Sequence, residues 1–143
     1  MRRKMESNLW VKMRSSIGPS VRMWRVENVV GTGMPDVLVI GDSVVTPVEL
    51  KAVQNYPARI SKTPLLGGRG LSPAQKNWHK EWQAHGGRSA VIIGVQRDVY
   101  LIRGQHADEI NQMTAPQIAE LSVVISAIGL QRKQIELFLR GEL

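Results

Sequence analysis

The chain contains no cysteine, and this absence removes several kinds of site at once. Without thiols there can be no disulfide bond, no zinc–thiolate centre and no cysteine nucleophile. Long apolar runs are also missing, because the longest, Leu121–Ile128, includes two serines and is far shorter than a membrane span. The basic start Met1–Lys4 looks like the beginning of a secretory signal, but no apolar stretch follows it. We therefore expect a cytoplasmic protein with no membrane partner.

Acidic residues are few and unevenly placed. The 143 residues carry 19 Lys and Arg against 12 Asp and Glu, for a formal net charge of +7. Residues 1–25 and 51–88 each hold seven bases and one acid, whereas residues 26–50 hold four acids and no base. The net charge favours a polyanionic partner. An acidic stretch between two basic ones fits a metal site that acts on phosphates, although a short chain also produces such a pattern by chance.

Hydrophobic periodicity predicts an α/β chain with a mixed sheet, in the order helix, three strands, long loop, helix, two strands and further helices. The predicted helices are Met5–Ile17, Ser72–Ala84, Ala115–Ile128 and Gln131–Leu139. The predicted strands are Val21–Val30, Val37–Ile40, Val44–Val53, Ser89–Val95 and Val99–Arg103. We expect one domain over residues 1–143, with a C-terminal helical hairpin at about 107–140 that serves packing or dimerisation.

The predicted loop of residues 54–71 is rich in glycine and proline and longer than a compact domain usually holds without a use for it. It contains three bases, Arg59, Lys62 and Arg69. The loop is either a solvated connector or a flexible arm that follows nucleic-acid phosphates. The N-terminal bases Arg2, Arg3 and Lys4 could form a second arm of the same kind.

Two acids and one lysine are expected to meet at one end of a hairpin. Asp36 leads directly into the strand Val37–Ile40, and Glu49 and Lys51 lie near the end of the next strand. Because strand residues two apart share a face, Glu49 and Lys51 point the same way while Leu50 points to the core. Converging carboxylates are costly without a cation, and oxygen ligands favour Mg²⁺ or Mn²⁺. A neighbouring lysine can stabilise charge that develops on a phosphate.

These residues resemble the signature of the PD-(D/E)XK nuclease superfamily. Its first part is Met34-Pro35-Asp36, and its second is Glu49-Leu50-Lys51. Within this superfamily, the chain resembles the VRR-NUC branch and its Holliday-junction-resolvase-like relatives. The residues that carry this resemblance are 33–39, 48–51, 71–75, 86–87 and 90–95. It covers roughly residues 5–103 and implies a restriction-endonuclease-like core, αβββαβ, followed by C-terminal helices.

The resemblance implies a role for each matched residue. Asp36 and Glu49 would bind the metal, with the backbone carbonyl of Leu50 completing the set. Lys51 would be the catalytic lysine. Gln75, at the start of the following helix, would support a water at the metal or contact phosphate.

The third acid and the DNA contacts are less closely defined. Junction resolvases carry an acid on the first helix, and Glu6 occupies that place, with Glu27 as the alternative. Arg25 lies beside the presumed site and would contact the scissile phosphate. The remaining residues assigned to DNA are Lys76 and the six bases of the two proposed arms.

Each assignment also has a purely structural alternative. Asp36 could be a turn residue, Gln75 an ordinary helix residue and Glu6 a charge partner on its helix. Glu49 and Lys51 could form a surface pair that contributes little. For the remaining candidates we expect structural roles: a surface pair for His79 and His85, and a core stripe for Trp78 and Trp82.

The sequence therefore predicts a Mg²⁺-dependent DNA endonuclease, with Mn²⁺ as a substitute. A structure-selective enzyme of phage or bacterial origin, similar to a Holliday junction resolvase, fits the small domain and the helical acid. Paired cuts in branched DNA would require a homodimer. A nickase or flap nuclease, a non-catalytic DNA-binding protein of the same fold, and an enzyme acting on RNA stay open as alternatives.

Overall fold

The computed structural model describes residues 2–26, 33–127 and 132–141. The part of the predicted first strand beyond Val26, the alternative acid Glu27 and the predicted start of the last helix at Gln131 lie outside these ranges. The helices are α1 (Arg2–Ser16), α2 (Pro73–Ala84), α3 (Ala115–Leu121) and α4 (Arg132–Leu139). The strands are β1 (Val21–Arg25), β2 (Val37–Gly41), β3 (Val44–Val53), β4 (Ala90–Val95), β5 (Asp98–Arg103) and β6 (Val124–Ala127).

The six described strands form one sheet in the order β1-β2-β3-β4-β5-β6. Every neighbouring pair is antiparallel except β3 and β4, which run parallel. A parallel pair needs a long crossover connection, and the loop of residues 54–71 together with α2 supplies it. The described helices include none that is both long and apolar enough to cross a membrane.

The sheet is covered on both faces, so the molecule has two apolar cores. On one face, Leu9 and Met13 of α1 and Phe138 of α4 pack against strand residues such as Leu50. On the other face, the long loop and the segment around α3 pack their own apolar residues against β4 and β5. The helical spacing predicted for the apolar face of the first helix is confirmed, since Leu9, Trp10 and Met13 are all buried.

The hairpin of β2 and β3 has the register that the sequence predicts. Asp42 and Ser43 both have positive φ, 53° and 66°, as in the two-residue turns that match the twist of a hairpin. Val37 pairs with Val48, so Asp36 lies opposite Glu49 at the open end of the hairpin. The predicted convergence of Asp36, Glu49 and Lys51 is therefore built into the strand pairing.

The C-terminal segment differs from the sequence prediction. The helix predicted over Ala115–Ile128 ends at Leu121, and Val124–Ala127 forms β6 antiparallel to β5. The predicted helical hairpin at about 107–140 is therefore wrong, because a strand separates α3 from α4. The β-branched run Val123–Ile125 suits a strand. A strand here also forms hydrogen bonds with the backbone groups at the edge of β5, which would stay unpaired if this segment were a helix.

Neither proposed basic arm is a free arm. Residues 2–4 belong to α1, because arginine and lysine favour helix and no breaker separates them from Met5. In the long loop, the backbone N–H groups of Lys62 and Thr63 both donate to the carbonyl of Arg59, which closes a turn. Leu65 donates its N–H to the carbonyl of Met113, and its side chain is buried. Burial of its leucines thus fixes the loop that composition alone predicts to be flexible.

Gly33, in the segment before Asp36, packs closely against the first turn of α2. Gly33 has φ +84°, and a Cβ at this position would lie 2.3 Å from the carbonyl oxygen of Ala74. We expect Gly33→Ala to destabilise the protein by about 2 kcal/mol or more, because the new residue meets both an unfavourable φ and a backbone clash. Thermal unfolding should show a Tm lower by about 4 °C or more.

Gly68 provides the matched control for that change. A Cβ there would meet no atom within 4 Å, and its φ is not in the left-handed region. Gly68→Ala should therefore leave the Tm unchanged or raise it slightly, because alanine restricts the unfolded chain. Equal losses of Tm in the two variants would contradict the close packing inferred for Gly33.

Candidate active site

A cleft of about 650 Å³ opens where the β2–β3 hairpin, α1 and the start of α2 meet. Five of the predicted site residues line it: Glu6, Asp36, Glu49, Lys51 and Gln75. Glu49 and Lys51 project from alternate positions of β3 onto the face that α2 covers, and their residues are only 4% and 5% exposed. Leu50, between them, is buried in the opposite core, as the two-residue period of a strand predicts.

The two central carboxyl groups occupy an unfavourable environment for negative charge. Burial, followed by the charge of Asp36, raises the pKa of Glu49 to about 8, and Lys51 only partly offsets this. Burial also raises the pKa of Asp36, against the lowering effects of backbone N–H groups and of the Arg25 charge. Such shifts are characteristic of functional sites, because a fold gains no stability from burying carboxylates together.

Lys51 and Gln75 both contact the same oxygen of Glu49. The Nζ of Lys51 lies 3.6 Å from Glu49 Oε1, and the Nε2 of Gln75 donates a hydrogen bond of 2.9 Å to it. The carboxamide of Gln75 is oriented by a capping box: its Oε1 accepts from the Ser72 backbone N–H, and the backbone N–H of Gln75 donates to Ser72 Oγ. The local sequence Ser-Pro-x-Gln therefore begins α2 and also aims Gln75 at Glu49.

The donor set fits a divalent cation. The Oδ1 atom of Asp36 is buried and has no hydrogen-bond partner among the described residues, which leaves one acceptor of the pair without a donor. No three side chains of Asp, Glu, His or Cys in the described ranges are close enough to form a metal cluster by themselves. A cation here would therefore need ligands beyond Asp36 and Glu49, such as a backbone carbonyl. Glu6 is near enough for its charge to add, after burial and Asp36, to the raised pKa of Glu49.

None of the predicted DNA-binding residues whose side chains the structure describes lines the cleft. Arg69 and Lys76 directly neighbour lining residues in sequence, and Arg69 is exposed. Arg25 donates to the hydroxyl of Ser7 on α1, and its charge acts on Asp36. Arg59 and Lys62 lie on the exposed turn of the long loop. The side chains of Arg2, Arg3 and Lys4 lie outside what the structure describes.

The structure corrects two minor assignments on α2. His79 is fully buried, where its Nδ1 lies 2.7 Å from Ser89 Oγ and burial lowers its pKa to about 4. It therefore does not form a surface pair with His85, which is exposed. Trp78 and Trp82 are half-buried rather than a core stripe, and their rings stack with centroids 5.0 Å apart.

Sequence reasoning missed one wall of the cleft. Gly67, Gly68 and Gly70 line it, together with Leu71 and Asn111. The unusual length and glycine content of the loop are a signal for the three glycines, since loops of this length often have a function. Nothing in the sequence pattern singles out Asn111, which comes from a short 3₁₀ helix, Ile110–Gln112, outside the part that resembles nucleases.

The strand order, the single parallel pair and the crossover helix define a restriction-endonuclease-like α/β fold, which confirms the expected fold class. Among solved structures, the chain is similar to Hjc of Archaeoglobus fulgidus, a Holliday junction resolvase from an archaeal hyperthermophile. The two share 15% sequence identity with a TM-score of 0.52, over 82% of this chain and 95% of that chain. No protein-family model and no curated protein matches the chain.

Proposed function

We propose that this protein is a metal-dependent DNA endonuclease of the PD-(D/E)XK type, VRR-NUC branch, with selectivity for branched DNA. The observation that carries the proposal is a cluster in an open cleft: Asp36, directly before β2, lies opposite the buried Glu49 of β3, and Lys51 Nζ lies 3.6 Å from Glu49 Oε1. Two neighbouring carboxyl groups beside a lysine suit phosphodiester hydrolysis, in which a cation and a lysine share the developing charge. The likeness of the fold to Hjc supports a branched substrate.

Asp36 and Glu49 would hold the cation, with the carbonyl of Leu50 as a third ligand. A backbone N–H from Leu50 acts on the Asp36 carboxylate. Because the N–H and C=O of a strand residue lie on the same edge of the strand, the Leu50 carbonyl faces the same side. Mg²⁺, with Mn²⁺ as a substitute, would activate the attacking water and neutralise charge on the phosphodiester. Glu6, on α1, would add negative charge beside this pair without joining it as a third clustered ligand.

Lys51 and Gln75 both contact the Glu49 carboxylate but would have different roles: Lys51 would act on the substrate, and Gln75 would hold the carboxylate in place. The ammonium group of Lys51, held beside Glu49, would donate to a phosphate oxygen as charge develops there. Gln75 would fix the rotamer of Glu49 through its 2.9 Å hydrogen bond. Arg69, Lys76 and Arg25 would hold flanking phosphates, which gives affinity without base recognition.

Selectivity for four-way junctions would require two active sites. One chain supplies one cluster, so two symmetric cuts in opposite strands need a homodimer with a two-fold axis. A monomer with the same chemistry would act as a nickase or flap nuclease instead.

A panel of labelled substrates tests this proposal. Linear duplex, single strand, flap and four-way junction are incubated with the protein in Mg²⁺, in Mn²⁺ and in EDTA, and the mass of the protein in solution is measured in parallel. We expect cleavage of the junction ahead of the other three, none in EDTA, and the mass of a dimer.

Other results of the same panel would distinguish between the alternative functions. Equal cleavage of all four substrates would leave a general nuclease and remove the junction selectivity. Cleavage of the flap alone by a monomer would indicate a flap nuclease. Binding without cleavage in either metal would leave a DNA-binding protein that only keeps the nuclease fold.

A further inference from the structure

The carboxamide of Asn111 makes two hydrogen bonds to the backbone of one residue at the rim of the cleft. Its Oδ1 accepts from the Leu71 N–H at 2.8 Å, and its Nδ2 donates to the Leu71 carbonyl at 2.8 Å. The side chain thus pairs with Leu71 as a neighbouring strand would. Ile110, beside it, is fully buried, which anchors the short helix that carries Asn111.

The absence of a side chain on Gly70 leaves the space that this carboxamide occupies. A Cβ on Gly70 would lie 2.0 Å from Asn111 Oδ1, although the φ of Gly70 would allow any residue. The glycine is therefore explained by the close approach of Asn111 and not by backbone conformation. Leu71, whose backbone is held in this way, is itself buried in the second core.

The pairing is linked to the candidate active site by one peptide bond followed by two hydrogen bonds. Leu71 directly precedes Ser72, the residue that caps α2. The Ser72 N–H holds Gln75 Oε1 at 2.9 Å, and Gln75 Nε2 holds Glu49 Oε1 at 2.9 Å. The hydrogen bonds that hold the Leu71 backbone therefore also hold Ser72, from which the contacts lead through Gln75 to Glu49.

We propose that Asn111 is a positioning residue of this active site: it holds Leu71 and Ser72 so that Gln75 keeps Glu49 in place. This inference rests on the proposed nuclease function and gives the C-terminal segment a part in it. In this role Asn111, whose hydrogen bonds go to Leu71, acts on Glu49 through the backbone that it holds.

A double-mutant cycle tests the proposed route. Asn111→Ala should lower kcat for cleavage roughly tenfold, as outer residues that orient metal ligands do, with KM changed less than about twofold. In a Gln75→Ala background, the same change should lower kcat by less than about twofold, because the route is already broken. Asn77→Ala, an exposed asparagine on α2, is the matched control and should leave kcat unchanged in both backgrounds.

Amide hydrogen exchange supplies a measurement that does not depend on cleavage. The exchange rate of the Leu71 and Ser72 amides should rise at least about tenfold in Asn111→Ala and stay unchanged in Asn77→Ala. Gly70→Ala, which displaces the carboxamide without removing it, should give the same exchange and kinetic changes and serves if Asn111→Ala does not fold.

The outcomes distinguish this inference from the proposed function. An equal loss of kcat in both backgrounds, or unchanged kcat in Asn111→Ala and Gly70→Ala beside an active parent, overturns the inference and leaves the function in place. A parent protein that cleaves no substrate overturns the function. The exchange rates then decide the inference alone, since unchanged Leu71 and Ser72 amides would refute the hold on the backbone.

Discussion

Asp36→Asn is expected to reduce metal-dependent DNA cleavage by roughly 10³-fold or more while leaving the protein folded. The substitution keeps the shape of the side chain, but it removes one charge and replaces an acceptor oxygen by an N–H donor. A cation held here would supply several kcal/mol of stabilisation to the transition state, and each 1.4 kcal/mol is about tenfold in rate. Initial rates on the best substrate of the panel, with saturating Mg²⁺, measure the effect.

The control for this variant is the same substitution elsewhere on the hairpin. Asp42 lies in the β2–β3 turn, exposed and 3.9 Å from Arg140, and its positive φ is one that asparagine tolerates. Asp42→Asn should cleave at the parent rate. The Tm of Asp36→Asn should not fall below that of the parent, because burial already disfavours the charged form of Asp36. Parental activity in Asp36→Asn would refute the assignment of Asp36 as a ligand.

The second large effect concerns stability rather than rate: Glu49→Gln is expected to flatten the pH dependence of unfolding. The pKa of Glu49 is near 4.5 in the unfolded chain and about 8 in the folded protein. Between these values the folded protein keeps a proton that the unfolded chain has released, so the free energy of unfolding falls as pH rises. This contribution is complete below pH 4.5 and lost above pH 8.

The expected size follows from the shift. A pKa difference of one between the folded and unfolded states contributes about 1.4 kcal/mol to the free energy of unfolding. Even half of the difference between 4.5 and about 8 therefore contributes about 2 kcal/mol. The fall in Tm between pH 5 and pH 9 without metal should therefore be about 4 °C or more larger for the parent than for Glu49→Gln. Glu81→Gln, an exposed change on α2, should show the parental pH dependence. Parallel curves for the parent and Glu49→Gln would contradict the buried, proton-holding state of Glu49.

Magnesium should act in the opposite direction to the proton. A cation that binds the ionised pair displaces the proton from Glu49, so its stabilising effect grows with pH. The rise in Tm on addition of Mg²⁺ should be greater at pH 9 than at pH 5 in the parent. It should be absent at both pH values in Glu49→Gln.

The arrangement of the site residues could be predicted from the sequence because it depends on short-range rules. The two-residue period of a strand puts Glu49 and Lys51 on one face, and the two-residue turn sets Asp36 opposite Glu49. The capping residues Ser72 and Gln75 are equally local, since a helix start needs partners for its free N–H groups. The restriction-endonuclease-like fold follows from the same local elements and the resemblance that they carry.

The features that sequence reasoning missed depend on contacts between distant segments. Asn111 and Leu71 are forty positions apart, and no periodicity connects them. His79 appears surface-like on its helix, and only the folded chain brings Ser89 against it and buries it. Residues 124–127 follow a helical pattern as well as a strand pattern, and only the free edge of β5 decides between them.

The parallel pairing of β3 with β4 also separates the site into parts that form by different routes during folding. Asp36, Glu49 and Lys51 belong to a hairpin whose strands are adjacent in the chain, so little loop-closure entropy opposes their meeting. Gln75 and Asn111 come into place only after the crossover closes, which is a non-local and slower event. A growing or refolding chain is therefore expected to bring its acidic pair together before it has a cleft.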